Sequence, residues 1–359
     1  MSKTRALHAA SLRGLGGVTR RELEHLFGTR VEPTGSEQSR NLDLTLFRYR
    51  GNPTDLYDLG TAEDLFVTIA ELKLSGTHRD LDAYRKAALR HEVGEALEVA
   101  GTLRRRTGKR VSYRVVVQAQ DTPGRAYRRN EIEGSVEEGL TTQYRNWKLV
   151  EDDADLEFWV QQLDRKALFG LRLSDASMRH RTYKVAHMPG SLRPTVARAM
   201  AFLAGWSPDD VVVDPTCGVG TLLVERAMMT RHAGLLGGDL SVEAAGMALA
   251  NFGLRHRPRA ICRWDATRLP LSDRSVRRVI ANLPWDHRIQ ADVEELYGPI
   301  LSETSRVLGS GGTAVLLTSR AGALQDRLRD VSRLCLRERI RKVSVLGRSA
   351  DLFVLAASD

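Results

Sequence analysis

One five-residue segment carries side chains suited to chemistry on the exocyclic amine of a nucleobase: Asn282, Leu283, Pro284, Trp285 and Asp286. Such an amine is a poor nucleophile because its lone pair is delocalised into the ring. The Asn282 side-chain oxygen and the Leu283 carbonyl could each accept a hydrogen bond from one N–H of the amine, which favours a more nucleophilic, pyramidal nitrogen. Pro284 would stiffen the turn that aims this carbonyl, and Trp285 would stack on a base turned out of its helix or loop. The departing proton could go to Asp286 or to water.

A second segment predicts a cofactor site, because a Gly-rich turn lies between a buried strand (residues 211–213) and a helix (residues 221–229). Glycines in such a turn let the backbone approach a ligand closely, and the helix N-terminus presents free N–H groups to it. A tight turn needed only for strand–helix packing would look similar in isolation. The residues predicted to bind the cofactor here are Asp214, Pro215, Thr216, Cys217, Gly218, Gly220 and Thr221.

Two acidic residues extend this predicted site along the sheet. Asp239, followed by Leu240, ends the next strand at roughly the 20-residue spacing expected of a carboxylate that binds a ribose diol. The alternative role is a helix N-cap, which Ser241 could equally provide. Asp265, which ends the third strand together with Ala266, could accept a hydrogen bond from an adenine amino group, although an ordinary loop Asp would look the same.

The C-terminal half must place these residues at one edge of a sheet. From about residue 187 strands and helices alternate regularly, which predicts a Rossmann-like α/β domain with a mostly parallel sheet. The predicted strands cover residues 211–213, 235–238, 260–262, 279–281 and 313–317, and the predicted helices include residues 193–204 and 221–229. Two final strand-like runs, residues 336–345 and 352–357, predict an antiparallel hairpin with a turn around Gly347. A nicotinamide-dependent oxidoreductase is the alternative use of such a Gly-rich turn, and it requires neither this hairpin nor Asn282.

The N-terminal half mixes shorter strands and helices, which predicts small α/β modules. The predicted strands cover residues 6–10, 41–49, 111–118, 156–160 and 168–173. Helices are predicted over residues 61–72 and 130–144, and a loop leading into a helix over residues 14–27. The polar and basic segment 174–186 is predicted to be a linker between the two halves.

Basic residues are concentrated in one part of the N-terminal half. Arginine-rich clusters suit the phosphate backbone of a nucleic acid, and few acids lie nearby to pair with these arginines. A solvated helix face with scattered salt bridges is the alternative. The residues predicted to bind RNA are Arg104, Arg105, Arg106, Lys109, Arg110, Arg125, Arg128 and Arg129.

The two motifs together resemble those of the class I amino-methyltransferases. Residues 214–221 (DPTCGVGT) and 282–285 (NLPW) carry the resemblance, and the second departs from the family form Asn/Asp-Pro-Pro-aromatic at Leu283. Leucine at this position is familiar among guanine-N2-methyltransferases that carry an RNA-binding THUMP domain. Residues 187–197 resemble the helix-opening motif that precedes the catalytic domain of those enzymes. More loosely, residues 14–18, 61–64 (read as a helix), 112–115 and 130–132 look like a ferredoxin-like module followed by THUMP.

The resemblance implies a domain order and a reaction. The expected domains are a ferredoxin-like module (residues 1–60), a THUMP-like RNA-binding domain (61–173), the linker (174–186) and a methyltransferase domain (187–359). S-adenosylmethionine is the expected cofactor, and the expected acceptor is the exocyclic N2 of guanine in tRNA, bound at its acceptor stem and 3′ end. The alternatives are a ribosomal-RNA or DNA amino-methyltransferase acting on guanine N2 or adenine N6, and a catalytically inactive RNA-binding protein.

Composition narrows the class of protein. The chain has 359 residues and a formal net charge of +9, which fits a polyanionic partner. Its three cysteines show no CxxC spacing, so neither a disulfide framework nor a metal site is expected, and the thiols fit a reducing cytoplasm. No run approaches the ~18 apolar residues of a membrane span. Residues 3–21 contain several Arg and no acid, which faintly resembles a transit peptide, but a cytoplasmic protein is the favoured interpretation.

Overall fold

The chain forms two compact units, which are described separately. The computed structural model describes residues 4–103, 110–119, 124–284 and 293–359. Unit 1 comprises Met1–Ser11 and Thr19–Met178, and unit 2 comprises Leu12–Val18 and Arg179–Asp359. No helix in the described part of the chain is long and apolar enough to cross a membrane.

Unit 1 is built on an eight-stranded sheet. Its strands are β1 (Arg5–Leu12), β2 (Val31–Gln38), β3 (Leu42–Tyr49), β4 (Asp64–Lys73), β5 (Ser112–Ala119), β6 (Lys148–Leu149), β7 (Leu156–Leu163) and β8 (Lys166–Arg172), in the order β2-β3-β1-β4-β8-β7-β5-β6. The helices are α1 (Gly16–Phe27), α2 (Arg79–Ala88), α3 (Glu92–Leu103) and α4 (Arg129–Gln143). Apolar side chains of all four helices join those of the strands in one core. Strands from both sides of residue 60 therefore share one sheet, and the predicted division into two N-terminal modules stays a prediction.

The helix predicted over residues 61–72 is wrong, because this segment forms the central strand β4. The run Phe66-Val67-Thr68-Ile69 consists of aromatic and β-branched residues, which fit a pleated sheet better than a helix. β4 pairs with β1 through Leu7 opposite Val67, and with β8 on its other edge. Phe66 and Val67 are both buried, although their side chains lie on opposite faces of the sheet. Burial on both faces removes the polar–apolar alternation that would have identified a strand.

Unit 2 is a mostly parallel sheet with helices. Its strands are β9 (Val211–Asp214), β10 (Gly234–Asp239), β11 (Arg259–Arg263), β12 (Val276–Asn282), β13 (Leu308–Thr318), β14 (Leu334–Val345) and β15 (Arg348–Ala357). The helices are α5 (Pro194–Ala204), α6 (Thr221–Met229), α7 (Val242–Phe252), α8 (Tyr297–Val307) and α9 (Ala321–Leu328). The order is β11-β10-β9-β12-β13-β15-β14, and only the pairs of β15 with β13 and β14 are antiparallel. The predicted Rossmann-like fold and its terminal antiparallel hairpin are confirmed.

The order of strands in unit 2 creates a crevice at one edge of the sheet. The chain continues from β9 to β10 on one side of β9, whereas β12 pairs with the other side of β9. In an open α/β sheet, ligands bind at the carboxyl ends of the strands where the strand order reverses in this way. Asp214 is the last residue of β9 and Asn282 the last residue of β12. The topology therefore places the two predicted motifs side by side.

Candidate functional site

Two adjoining cavities open at this crevice, with volumes of about 480 Å³ and about 130 Å³. Met188, Pro189, Gly190, Thr216 and Asn282 line both of them. The sizes fall in the range of small-molecule sites when the two are taken together. In the described residues, no three His, Cys, Asp or Glu side chains lie close enough together to hold a metal ion.

The Gly-rich turn adopts the conformation that its sequence predicts. Gly218 and Gly220 have φ angles of 50° and 77°, in the left-handed region that favours glycine. A Cβ on Gly220 would lie 3.0 Å from the Cβ of Ala248. The Cys217 N–H donates to the Gly238 carbonyl at 2.9 Å, which attaches the turn to β10, and α6 begins at Thr221. These contacts fix the backbone of the turn where it lines the smaller cavity.

Asp239 ties the turn to the neighbouring strand end. Its carboxylate accepts hydrogen bonds from the Gly218 N–H and the Ser241 N–H, each at 3.0 Å. Ser241 caps α7 by accepting from the Ala244 N–H, so the capping role belongs to Ser241. Asp239 is half-buried and lines the larger cavity together with Leu240. A carboxylate in this place can accept further hydrogen bonds from a bound diol.

One part of the larger cavity, which includes the predicted adenine contact Asp265, is lined by Trp264, Asp265 and Ala266. Asp265 lies two residues past the end of β11, rather than on the strand, and its carboxylate accepts from the Thr267 N–H and hydroxyl at 2.8 and 2.7 Å. The Trp264 indole N–H donates to the Pro215 carbonyl at 2.9 Å, and Gly238 leaves room for the ring. These contacts connect the ends of β9, β10 and β11.

The turn after β12 is held on both sides of the Leu283 carbonyl. The Leu283 N–H donates to the Leu317 carbonyl at 3.0 Å, and the Pro284 carbonyl accepts from the Tyr297 hydroxyl at 2.9 Å. Burial raises the pKa of Tyr297, so that its hydroxyl keeps its proton and remains a donor. The Thr216 hydroxyl also donates to the Asn282 backbone carbonyl at 3.2 Å, which joins the two motifs directly. Sequence reasoning missed Tyr297, which is the first residue of α8 and lies outside both motifs.

Several residues singled out in the sequence lie outside the described residues: Trp285, Asp286, Arg104, Arg105, Arg106 and Lys109. Among the described basic residues of unit 1, Arg110 donates to the Asn146 carbonyl at 2.7 Å, and Arg125 lies over the Tyr127 ring and donates to its carbonyl. Arg128 and Arg129 are exposed at the start of α4. The last two are therefore the best placed of the described set to reach a partner.

The comparison with protein families agrees with this geometry. Residues 181–345 match the model of the RMKL-like methyltransferase domain family. The matched segment lies within unit 2, which is similar to the methyltransferase domain of this family. The match begins within the segment predicted as a linker, where Tyr183 donates to the Glu225 carboxylate of α6 at 2.8 Å. It includes both motifs and every residue that lines the smaller cavity, whereas Leu346 and Arg348 of the larger cavity follow its last residue.

Two relatives share about 60% of this chain. The tRNA (guanine(6)-N(2))-methyltransferase THUMP3 of Mus musculus is 27% identical over 234 residues, which cover 60% of this chain and 46% of the mouse protein. The U6 snRNA (guanine-N(2))-methyltransferase THUMPD2 of Homo sapiens is 30% identical over 215 residues, which cover 58% of this chain and 41% of the human protein. The chain thus spans less than half the length of these curated relatives.

A solved structure covers both units. The crystal structure of TrmN from Thermus thermophilus matches with a TM-score of 0.76 at 25% identity, over 99% of this chain and 100% of that chain. Together with the named relatives, it confirms the predicted resemblance to guanine-N2-methyltransferases and the predicted fold class.

Asp214 is a buried carboxyl group at the end of β9. Burial raises its pKa well above the ordinary value, the Thr216 N–H lowers it, and the nearby Asp239 carboxylate raises it further. One carboxylate oxygen accepts from the Thr216 N–H at 3.1 Å, whereas the other is buried without a hydrogen-bond partner among the described residues. Asp214 lines the smaller cavity. The arrangement favours a cationic ligand group beside this oxygen.

We expect Asp214→Asn to stabilise the ligand-free chain, and more at pH 8 than at pH 5. A carboxyl whose pKa is raised in the folded state costs stability once the pH rises above the unfolded value of about 3.9, and the cost grows up to the folded pKa. Asparagine does not titrate, and its oxygen can still accept from the Thr216 N–H. Thermal unfolding without ligand at the two pH values measures the effect, with the exposed Asp209→Asn as control. A gain in Tm that is equal at both pH values would contradict the assignment.

Proposed function

We propose that the chain is an S-adenosylmethionine-dependent RNA methyltransferase that transfers a methyl group to the exocyclic N2 of a guanine in tRNA. One observation carries the proposal. The turn of Asn282, Leu283 and Pro284 after β12 (the Asn282 turn) and Asp239 line the same cavity, and all four residues lie within the segment that matches the methyltransferase family. The names of the two relatives, one acting on tRNA and one on U6 snRNA, support guanine N2 as the acceptor and RNA as the substrate.

The residues around the two cavities fit S-adenosylmethionine. Asp239 would bind the ribose hydroxyls, and Leu240 and Trp264 offer apolar surface to the adenine. Asp265 would accept from the adenine amino group. The unpartnered Asp214 carboxylate oxygen suits the ammonium of the amino-acid portion. When bound, the cofactor would supply an electrophilic methyl group carried on a positively charged sulfur, which is a good leaving group.

The Asn282 turn orients the acceptor amine. The Asn282 side-chain oxygen and the Leu283 carbonyl each accept a hydrogen bond from one N–H of the amine. The hydrogen bonds of this turn with Leu317 and Tyr297 hold the Leu283 carbonyl in place before the base arrives. The amine nitrogen forms the new bond and loses one proton, to water or to Asp286. Most of the rate enhancement then comes from orientation and from preorganised acceptors.

We assign RNA binding at the acceptor stem and 3′ end to unit 1, through its basic residues. Arg128 and Arg129 extend from the N-terminus of α4, where the helix dipole also favours a phosphate. Charge reversal of both, in Arg128→Glu/Arg129→Glu, should weaken tRNA binding and flatten its salt dependence by roughly two units of slope. Filter binding of tRNA at several salt concentrations measures both quantities, and cofactor affinity should not change.

A matched control separates this contact from general electrostatics. Arg20→Glu/Arg48→Glu makes the same change in net charge at exposed residues that pair with Glu24 and Glu32. The control should leave the salt slope near that of the parent. Equal losses in the two double variants would mean that Arg128 and Arg129 make no specific contact with RNA.

Nucleoside mass spectrometry tests the proposed reaction. Bulk tRNA from a strain that lacks the gene, incubated with the chain and S-adenosylmethionine, should gain N2-methylguanosine. Gain of N6-methyladenosine, or methylation of ribosomal RNA alone, would contradict the acceptor or the substrate. Calorimetry with S-adenosylhomocysteine against NADH separates the methyltransferase from an oxidoreductase.

A further inference from the structure

The tip of the terminal hairpin takes part in the larger cavity, a role that neither motif predicts. Leu346 and Arg348 line this cavity together with Pro284 of the Asn282 turn. Val345 pairs with Arg348 across Leu346 and Gly347, whose φ angles are 50° and 79°. Positive φ at both central residues is typical of tight two-residue hairpin turns. Arg348 therefore follows directly after a short turn of defined conformation.

The strand order places this tip on the acceptor side of the cavity. In the sheet, β10 and β11 lie on one side of β9, whereas β12, β13, β15 and β14 follow on the other. Thr318, at the carboxyl end of β13, pairs with Asp351 near the start of β15, so the tip lies at the same edge as the Asn282 turn. The residues assigned to the adenosine come from the opposite side of β9.

The exposure and charge of the tip suit a polyanion. Arg348 is exposed, and Leu346 is 48% exposed, although both line the cavity. From residue 341 to residue 350 the chain carries Arg341, Lys342 and Arg348 and no acid. When a base enters a pocket, its sugar and phosphates stay at the rim. An exposed guanidinium at this rim matches the geometry of a phosphate.

We propose that Arg348 binds an RNA phosphate next to the target nucleotide and so positions the base in the cavity. This inference rests on the proposed function, because it takes RNA as the substrate. The residues assigned to the adenosine lie on the other side of β9 from Arg348, so we expect Arg348 to act on the substrate and not on the cofactor. Loss of this contact should therefore mainly raise the KM for RNA.

Steady-state methylation of bulk tRNA from a strain that lacks the gene tests the proposal. Arg348→Ala should raise the KM for tRNA about tenfold with kcat within a few fold of the parent, as expected for one lost charged hydrogen bond. The salt dependence of this KM should flatten by about one unit of slope. Arg348→Lys should restore most of the slope, because a phosphate also accepts the point charge of an ammonium group. The affinity for S-adenosylhomocysteine, measured by calorimetry, should not change in either variant.

Arg337→Ala is the matched control, because Arg337 is also exposed and belongs to the same hairpin. It lies on β14 roughly 25 Å from the tip, since a strand rises about 3.3 Å per residue. It should keep the parental KM and slope. An Arg348→Ala variant with the parental KM, a loss in kcat alone, or no recovery with lysine would each overturn the phosphate contact. If the parent itself methylates no RNA, the proposed function fails. If the parent and Arg348→Ala are equally active, only the phosphate contact fails.

Discussion

Asn282→Ala should lower kcat by ~10²-fold or more, comparable to the loss of one preorganised polar group in other enzymes. The Asn282 side-chain oxygen is expected to matter mainly while the amine attacks, so the loss should fall on kcat and not on binding. Single-turnover methylation of tRNA measures the chemical step, and calorimetry with S-adenosylhomocysteine and filter binding of tRNA should give affinities within a few fold of the parent.

Asn282→Asp is the matched variant for this prediction. It keeps an oxygen acceptor at the same position, and the family that the motif resembles also uses Asp there, so part of the activity should survive. The backbone of residue 282 would still accept from the Thr216 hydroxyl in both variants. If Asn282→Ala methylates tRNA at the parental rate, activation of the amine by this side chain is wrong.

Asp239→Ala should weaken cofactor binding by ~1.5–3 kcal/mol, the range for losing a hydrogen bond to a charged group. The carboxylate also holds the Gly218 N–H and the Ser241 N–H, so part of the loss would come from a looser Gly-rich turn. Calorimetry with S-adenosylhomocysteine measures the affinity, and circular dichroism verifies the fold.

Ser241→Ala separates the two contributions. It removes the cap of α7, which costs about 0.5–2 kcal/mol of stability, but it leaves the Asp239 carboxylate in the cavity. Cofactor affinity should therefore stay near that of the parent in Ser241→Ala and fall in Asp239→Ala. Equal affinities in the parent and Asp239→Ala would exclude the ribose role.

Local order along the chain explains why much of the site could be predicted. In an alternating β-α pattern, the residue after each strand lies at the carboxyl edge of the sheet. Asp214, Asp239 and Asn282 could therefore be assigned to one edge from their sequence positions alone. The same reasoning was less accurate for Asp265, which lies two residues past β11 and bonds to Thr267.

The segment of β4 illustrates where such reasoning fails. Its apolar residues are buried on both faces of the sheet of unit 1, so they do not alternate with polar ones, and their pattern wrongly predicts a helix. Only the pairing with β1 and β8 makes it a strand. Secondary structure that depends on partners distant in the chain cannot be assigned from a local pattern.

The amino-acid sequence was enough to identify the two motifs, to predict the fold class of unit 2 and to name candidate site residues, because these follow from residue types at the ends of consecutive strands. Only the three-dimensional structure shows that β9 and β12 are neighbours, that the Tyr297 hydroxyl holds the Pro284 carbonyl, and that Arg348 reaches the same cavity. These contacts join residues far apart in the chain. Their geometry depends on strand order and hairpin register, which backbone pairing and core packing set together.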